Sequence, residues 1–432
     1  MSNKKKIFFI ILILAILIVG LVILIAPKEK RNSLINIKSI PKNCENYVLV
    51  NTPMFVDQFS SYFVKNPSDI SKFYKFLKRI NIESDNLNDL LLNEPIAIYY
   101  DENIKCFNAI LSVQNSTLTF KKISGKILEI DFKKTSSNPN YSTYVYNNKI
   151  HNQLYITIDR NENSHDKIYS KINKSVRDVD TSNDNLEAVK LFKENKKNIS
   201  FNFKNINKIN KLGVENINGS IDFYSDHMEI IANGIKNNKF PFNDYQELKS
   251  TDYGWAEFTG NFNKKILKPQ IFKNLILDSN WDGRLIMSVH QLKNTNKIIG
   301  LKSFNEIINY LDLNIIIGNL KLDSHKKLNS IPNYKTSFKN DFKGFSITNF
   351  EKRYNITTGQ KKLFSLSFDF DKMIKQKHNE WTWNAFKSVF RRMNFKTFEL
   401  EGENKKQNEF QIIGKLTTLD TTKNLLLNPF IY

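Results

Sequence analysis

The sequence predicts an α+β fold: an N-terminal transmembrane helix followed by antiparallel sheets built from repeated strand–helix–hairpin units. Three observations predict it. Residues 7–26 form an unbroken apolar run, IFFIILILAILIVGLVILIA. Short alternating segments bounded by turn residues recur from Tyr47 to Leu416, the pattern of strands joined through hairpins. Between them stand stretches whose apolar residues recur at helical spacing.

The apolar run comes first. Its 20 residues, at about 1.5 Å of rise each, span roughly 30 Å, the thickness of a bilayer's hydrocarbon core. It has no polar face, as a buried core helix usually would. Pro27 follows Ala26 directly, which makes a poor cleavage site for a signal peptide. An uncleaved signal-anchor is the reading. Lys4, Lys5 and Lys6 precede the run, and Lys28, Lys30 and Arg31 follow it with Glu29. A short tail with a lysine cluster places the N-terminus in the cytoplasm. The expected location is the bacterial inner membrane, single-pass, with the bulk of the chain periplasmic.

Composition sets outer bounds. With 41% hydrophobic and 25% charged residues, the chain has the balance of a folded protein. The formal charge is +21, but the lysines are scattered and never interleave with aromatics as a basic stripe. Nucleic acid is therefore not an expected partner. Only 14 glycines are present, which argues against glycine-rich phosphate loops. Cys44 and Cys106 permit one disulfide in an oxidising compartment, or two buried thiols.

The layout is expected to be a tail and anchor over 1–26, a stalk over 27–40, a first α+β module over 41–190, a second over 191–330, and a C-terminal α+β unit over 331–432. The first module opens with a strand at Tyr47–Val50. Thr52 and Pro53 then signal a helix start, with Phe55, Val56, Phe59, Tyr62 and Phe63 on one face. A second amphipathic stretch begins at Ser68. A hairpin pairs Ile96–Tyr100 with Cys106–Val113, and strands follow at Ser142–Tyr146 and Leu154–Ile158. From Ile199 a unit recurs. Ile199–Phe203 is a strand, then a hairpin runs from Gly219 to Ile235 around Ser225-Asp226-His227. Phe364–Phe368 is a strand, followed by a helix carrying Phe386, Val389 and Phe390. A hairpin then turns at Gly402-Glu403-Asn404. A weaker third copy spans Trp255–Phe258 and Leu285–Val289. A capping-box spacing stands at Ser303 to Glu306, and 323–343 reads as a long loop.

Catalytic signatures are missing from the sequence. The six histidines form no H-E-x-x-H, and no nucleophile elbow, Walker loop or dinucleotide fingerprint occurs. No catalytic, cofactor-binding or metal-ligating residue is assigned, and no cofactor is expected. His227 beside Asp226 reads as a solvated turn pair. Trp381 and Trp383 stand two apart, so on a helix they are rotated by about 200° and cannot share a face. One is expected to enter the core and the other to lie near the surface or under a neighbouring module, and Trp381, Trp383, Arg391 and Arg392 are the candidate partner contacts.

One resemblance is carried by Ile40-Pro41-Lys42-Asn43 running into Tyr47-Val48-Leu49-Val50-Asn51 and a helix, behind an anchor and stalk. This opening resembles that of uncharacterised membrane-anchored envelope proteins of Bacteroidetes-type bacteria. The resemblance covers about 25 residues and implies location and architecture, with no catalytic residue. The expected function is a single-pass envelope protein whose extracytoplasmic region binds or scaffolds within a multiprotein membrane assembly, with the membrane and an envelope protein as partners. The alternative is a lipid- or glycan-handling factor using a sheet-lined groove. Whether that factor is an enzyme stays open at this level, with a non-enzymatic role favoured.

Overall fold

The computed structural model describes residues 34–79, 94–102, 105–114, 132–138, 141–149, 151–159, 186–206, 213–250, 254–263, 283–292, 311–318, 335–339, 344–348, 356–376 and 391–420. Residues 167, 170, 210, 211, 387, 388 and 425 are described besides. The apolar run of residues 7–26 lies outside them. Contacts divide the chain into two compact units. One is 1–204 with Asn218–Asp222, the other 205–217 with Phe223–Phe430. The division falls at Lys204, where the sequence suggested boundaries near 190 and 330.

In the first unit the strands are β1 (Tyr47–Val50), β2 (Ile96–Asp101), β3 (Cys106–Ser112), β4 (Phe132–Asn138), β5 (Tyr141–Asn148), β6 (Gln153–Asp159) and β7 (Ile199–Lys204). They pair antiparallel in the order β7-β1-β2-β3-β6-β5-β4. Tyr47, Leu49, Ala97, Ile110 and Tyr155 fill the core on one face. Helix α1 (Ile35–Lys38) presses Ile37 and, just beyond it, Ile40 into that core. Residues expected to belong to a stalk are thus part of the packed domain. Asn36 explains the tight seat: its amide donates to the Pro95 carbonyl at 2.8 Å. Its oxygen accepts from Gln153 at 2.7 Å and Ser112 at 3.0 Å. All three side chains are buried, and the network meets the demand that buried polar groups find partners.

Helix α2 (Thr52–Lys65) buries Phe55, Phe59, Tyr62 and Phe63 along one stripe, as their spacing dictates. Thr52 is not its cap. The N-cap is Asn51, and the Thr52 hydroxyl donates to the Glu94 carbonyl. Helix α3 (Pro67–Arg79) follows after Asn66, and α4 (Leu186–Asn195) buries Ala188 and Val189.

The second unit is built on β9 (His227–Lys236), β11 (Ala256–Asn261), β12 (Arg284–Leu292), β13 (Leu311–Gly318), β14 (Lys335–Lys339), β15 (Gly344–Thr348), β17 (Phe364–Asp369), β18 (Phe395–Lys406) and β19 (Glu409–Thr418). Their antiparallel order is β9-β19-β18-β17-β11-β12-β13-β15-β14. β10 (Tyr245–Ser250) and β16 (Ile356–Lys362) pair separately. β8 (Val214–Phe223) precedes β9, the hairpin closing from Tyr224 N to His227 O at 2.8 Å. Helix α5 (Phe370–Lys375) follows β17, capped by the Asp369 carboxylate.

The expected α+β fold of antiparallel sheets built from repeated strand–helix–hairpin units is overturned, while the transmembrane helix expected over residues 7–26 lies outside the described residues. The molecule is mostly large antiparallel sheet. Among the described residues the longest helix has 14 residues, and no helix is long and apolar enough to cross a membrane. The three expected copies are not independent units, because β11 pairs with both β12 and β17 in one ladder. What recurs is a longer pairing order. The sequence β7-β1-β2-β3-β6-β5 of the first unit returns in the second as β17-β11-β12-β13-β15-β14. Local periodicity could not display this, since it lies in which strands meet. The expected turn at Gly402 also moves. β18 runs on to Lys406, and Gly402 lies mid-strand opposite Phe364. The helix expected to carry Phe386, Val389 and Phe390 lies outside the described residues, as does the capping box at Ser303.

Candidate functional site

A hollow in the second unit lies where β9 ends. Lys236 closes the strand, and the chain turns through Asn237-Asn238-Lys239 into Phe240-Pro241-Phe242. The turn is held by its backbone. Asn237 N donates to Gly213 O at 2.9 Å, Asn263 N to Pro241 O at 2.6 Å, and Asn243 N to Asn261 O at 2.7 Å. Gly213 has φ +79°, and the Phe240 backbone occupies the space a β-carbon at 213 would need. Only glycine combines that left-handed conformation with so close an approach.

The floor is aromatic. Phe240 lies on Phe410 with ring centroids 4.9 Å apart, and Phe242 on Phe364 at 5.0 Å. Buried Leu363 packs with them. Over this floor opens a cavity of about 560 Å³ whose rim holds Asn237, Asn238, Asn243, Asn263 and Asn408. Three of these amides are engaged: Asn237 Oδ1 accepts from Lys239 N at 2.8 Å, Asn243 Nδ2 donates to Phe262 O, and Asn263 Nδ2 to Phe240 O, both at 3.5 Å. Asn238 and Asn408 are exposed, and their side chains make no hydrogen bond among the described residues.

Two charges border the hollow, Glu215 and Lys236. The Lys236 ammonium donates to Asn404 Oδ1 at 2.6 Å and stands 5.7 Å from the Phe240 ring centroid. Burial pushes its pKa below the ordinary lysine range, with nearby Asp244 opposing. The Asn404 amide in turn donates to the Asp244 carboxylate. Lys236 is thus engaged by neighbours, and the Asp244 carboxylate opposes its charge. The rim is close to neutral on a strongly basic chain. Its chemistry is recognition: donors and acceptors on amides, above an apolar floor.

The residues singled out in the sequence lie elsewhere. Arg391 and Arg392 are exposed in the turn of helix before β18, and neither lines the cavity. Trp381 and Trp383 lie outside the described residues. His227 opens β9. Its Nδ1 lies 2.7 Å from Asp226 Oδ1 and its Nε2 3.2 Å from Glu229 Oε1, with Tyr224 stacked at 4.3 Å. Asp226 is held below the ordinary carboxylate range chiefly by its hydrogen bond from His227. Among the described residues no group of histidine, cysteine and carboxylate side chains is placed to hold a metal ion. Cys44 and Cys106 are not joined. Cys44 Sγ points at the Asn46 and Tyr100 carbonyls, at 3.5 and 3.6 Å, and Cys106 Sγ at Asp159 Oδ1 at 3.4 Å.

Half of the cleft had a sequence signal. Asn-Asn followed by Phe-Pro-Phe marks a turn carrying amides and rings. Asn408 and Glu215 are brought to it only by strand pairing.

No family model matches the chain and no curated protein matches it in sequence. Solved structures of TP0453 align with it. Crystal form III does so at a TM-score of 0.28 and 10% identity, covering 47% of this chain and 80% of that one. Form IV aligns at 0.27 and 9%, covering 47% and 81%. At these scores the likeness supports no conclusion about fold or function.

Proposed function

We propose that this chain is a single-pass envelope protein that uses the cleft at the end of β9 to hold a polar ligand without covalent chemistry. The apolar run of residues 7–26 would be its tether, with the remainder on the periplasmic side. The observation that carries the reading is the pair of amides on Asn238 and Asn408. Both line a cavity of about 560 Å³, and neither is engaged by a neighbouring side chain or backbone group among the described residues. An amide donates and accepts together, so two of them above a half-buried Phe242 ring suit a ligand with polar edges and an apolar face. Native mass spectrometry of the full-length chain, released from its own membranes in mild detergent, tests this. A small adduct is expected on the wild type and its loss from the Asn238→Ala/Asn408→Ala variant. Identical spectra for the two proteins would sink the reading.

A scaffolding role is the second reading, favoured by a different observation. Ile231 and Ile413 face each other directly across β9 and β19, yet are 36% and 41% exposed. Such a pair on an open sheet face suits contact with an envelope protein partner. Cross-linking in intact membranes should then place a partner on this face, and Ile231→Asp should abolish that link.

A further inference from the structure

The β9–β19 ladder has two ends, and the backbone at one end matches the backbone at the other. At the cleft, Lys236 N donates to Asn408 O at 2.8 Å; at the far end, Thr418 N donates to Asp226 O at 3.0 Å. One residue on, Asn237 N donates to Gly213 O and Leu419 N to Asn394 O, both at 2.9 Å. Gly213 and Asn394 both have positive φ, +79° and +60°. Each also donates its own N–H back three residues, Gly213 to Asn210 at 3.0 Å and Asn394 to Arg391 at 3.1 Å. Position by position, Asn408 corresponds to Asp226 and Asn238 to Asp420.

The shared frame acts as an internal control. It shows what the fold requires at the end of such a ladder, and free asparagine amides are not required. At the far end the polar groups are spent on closure. Asn394 Nδ2 donates to Asp420 O at 2.8 Å and Asp420 N donates to Asn394 Oδ1 at 3.0 Å. The Thr418 hydroxyl donates to Asp226 O at 3.0 Å. At the cleft end Gly213 has no side chain to make that closure, and the hollow stays open with the Asn238 and Asn408 amides on its rim. A solvated turn would explain Asn238 or Asn408 alone. It does not explain both standing on one cavity above aromatic rings.

We infer that the cleft binds an uncharged, polyhydroxylated ligand of the glycan class, an inference that rests on the reading of this cleft as the binding site. The chemistry decides between classes. Each hydroxyl of a sugar both donates and accepts, which an amide matches in either orientation. The C–H face of a sugar ring packs on an aromatic ring such as Phe242. An anionic headgroup would need an unopposed cation, but the Asp244 carboxylate lies close enough to Lys236 to oppose its charge and Glu215 borders the same hollow. An acyl chain would need an apolar rim, and this rim is amide.

The test titrates the full-length chain in detergent micelles with cellotetraose, maltotetraose and chitotetraose, and separately with phosphatidylglycerol vesicles. Binding is read by saturation-transfer NMR and calorimetry. At least one neutral tetrasaccharide is expected to bind, and Asn238→Ala/Asn408→Ala should weaken it about tenfold, the equivalent of roughly 1.4 kcal/mol. Asp226→Ala/Asp420→Ala, changing the matching positions of the far end, should leave affinity within about twofold. Failure of every tetrasaccharide to bind overturns the glycan class. If the vesicles bind instead and the asparagine variant weakens them, the cleft reading stands while the ligand class falls. Tetrasaccharide binding that survives the asparagine variant unchanged overturns the cleft itself. Asn238, Asn408 and Asp226 are exposed and Asp420 is half-buried, and unchanged thermal transitions confirm that each variant still folds.

Discussion

Phe410 stands directly opposite Gly234 in the β9–β19 ladder, and its ring occupies the space a β-carbon at 234 would take. The phenylalanine is 1% exposed. It also carries Phe240 on the cleft floor, so the missing side chain on one strand positions the aromatic that shapes the site. Gly402 does the same for Phe364 across β17 and β18.

Gly234→Val should therefore destabilise the chain, although valine ordinarily favours strands. Forcing a branched side chain against a packed ring costs about 1–3 kcal/mol. Asn233→Val, one residue along on the exposed face of β9, should shift stability by less than about 1 kcal/mol. Urea titration compares the two. Equal effects would mean that the ring does not depend on Gly234.

Asn36→Leu removes the hub of the buried network in the first unit. Gln153, Ser112 and the Pro95 carbonyl each lose a partner. A buried group left unmet costs roughly 1–3 kcal/mol, so the loss should amount to several. Ser112→Ala takes away one donor while Gln153 still serves the Asn36 oxygen, and should cost about 1 kcal/mol. A mild effect of Asn36→Leu would show that α1 is held by Ile37 and Ile40 alone.

The Cys44 thiol should resist alkylation in the native protein. Burial, above all, pushes its pKa up to about 12 from an ordinary 9, and the thiolate is the reactive form. The linked effect on stability has a definite sign. A folded-state pKa above the unfolded one contributes stability that is complete below pH 9 and is lost as pH climbs towards 12. Iodoacetamide labelling followed by mass spectrometry should modify Cys44 only on unfolding. Cys44→Ser should flatten the alkaline fall in stability. Rapid labelling at pH 8 with the fold intact would contradict this.

If the proposed topology holds, protease added to spheroplasts should degrade residues 32–432 without cell lysis. Resistance of the C-terminal region until lysis would reverse the orientation.

Much of the local structure was legible in the chain. Residues two apart share a strand face, which located Tyr47–Val50, and residues three or four apart share a helix face, which located the stripe Phe55, Phe59, Tyr62 and Phe63. No cleft residue was singled out in the sequence, although Asn237-Asn238 and Phe240-Pro241-Phe242 carry the turn and ring signal that marks it. What misled was glycine. Gly402 beside Glu403-Asn404 has the composition of a turn, but a glycine opposite a large ring has a second use inside a sheet. Likewise, Asn36 and Ser39 look like stalk residues until their buried partners, far away in sequence, are known.

The sequence by itself determined where most strands and α2 begin, because periodicity and turn chemistry act within a few residues. Only the tertiary structure decided that the order β7-β1-β2-β3-β6-β5 recurs as β17-β11-β12-β13-β15-β14. It alone brought Asn408 beside Asn238. The physical reason is that backbone hydrogen bonds are the same for every residue type except proline. A strand therefore carries no mark of its partner, and pairing is settled by how side chains such as Phe410 and Gly234 fit once strands distant in sequence meet.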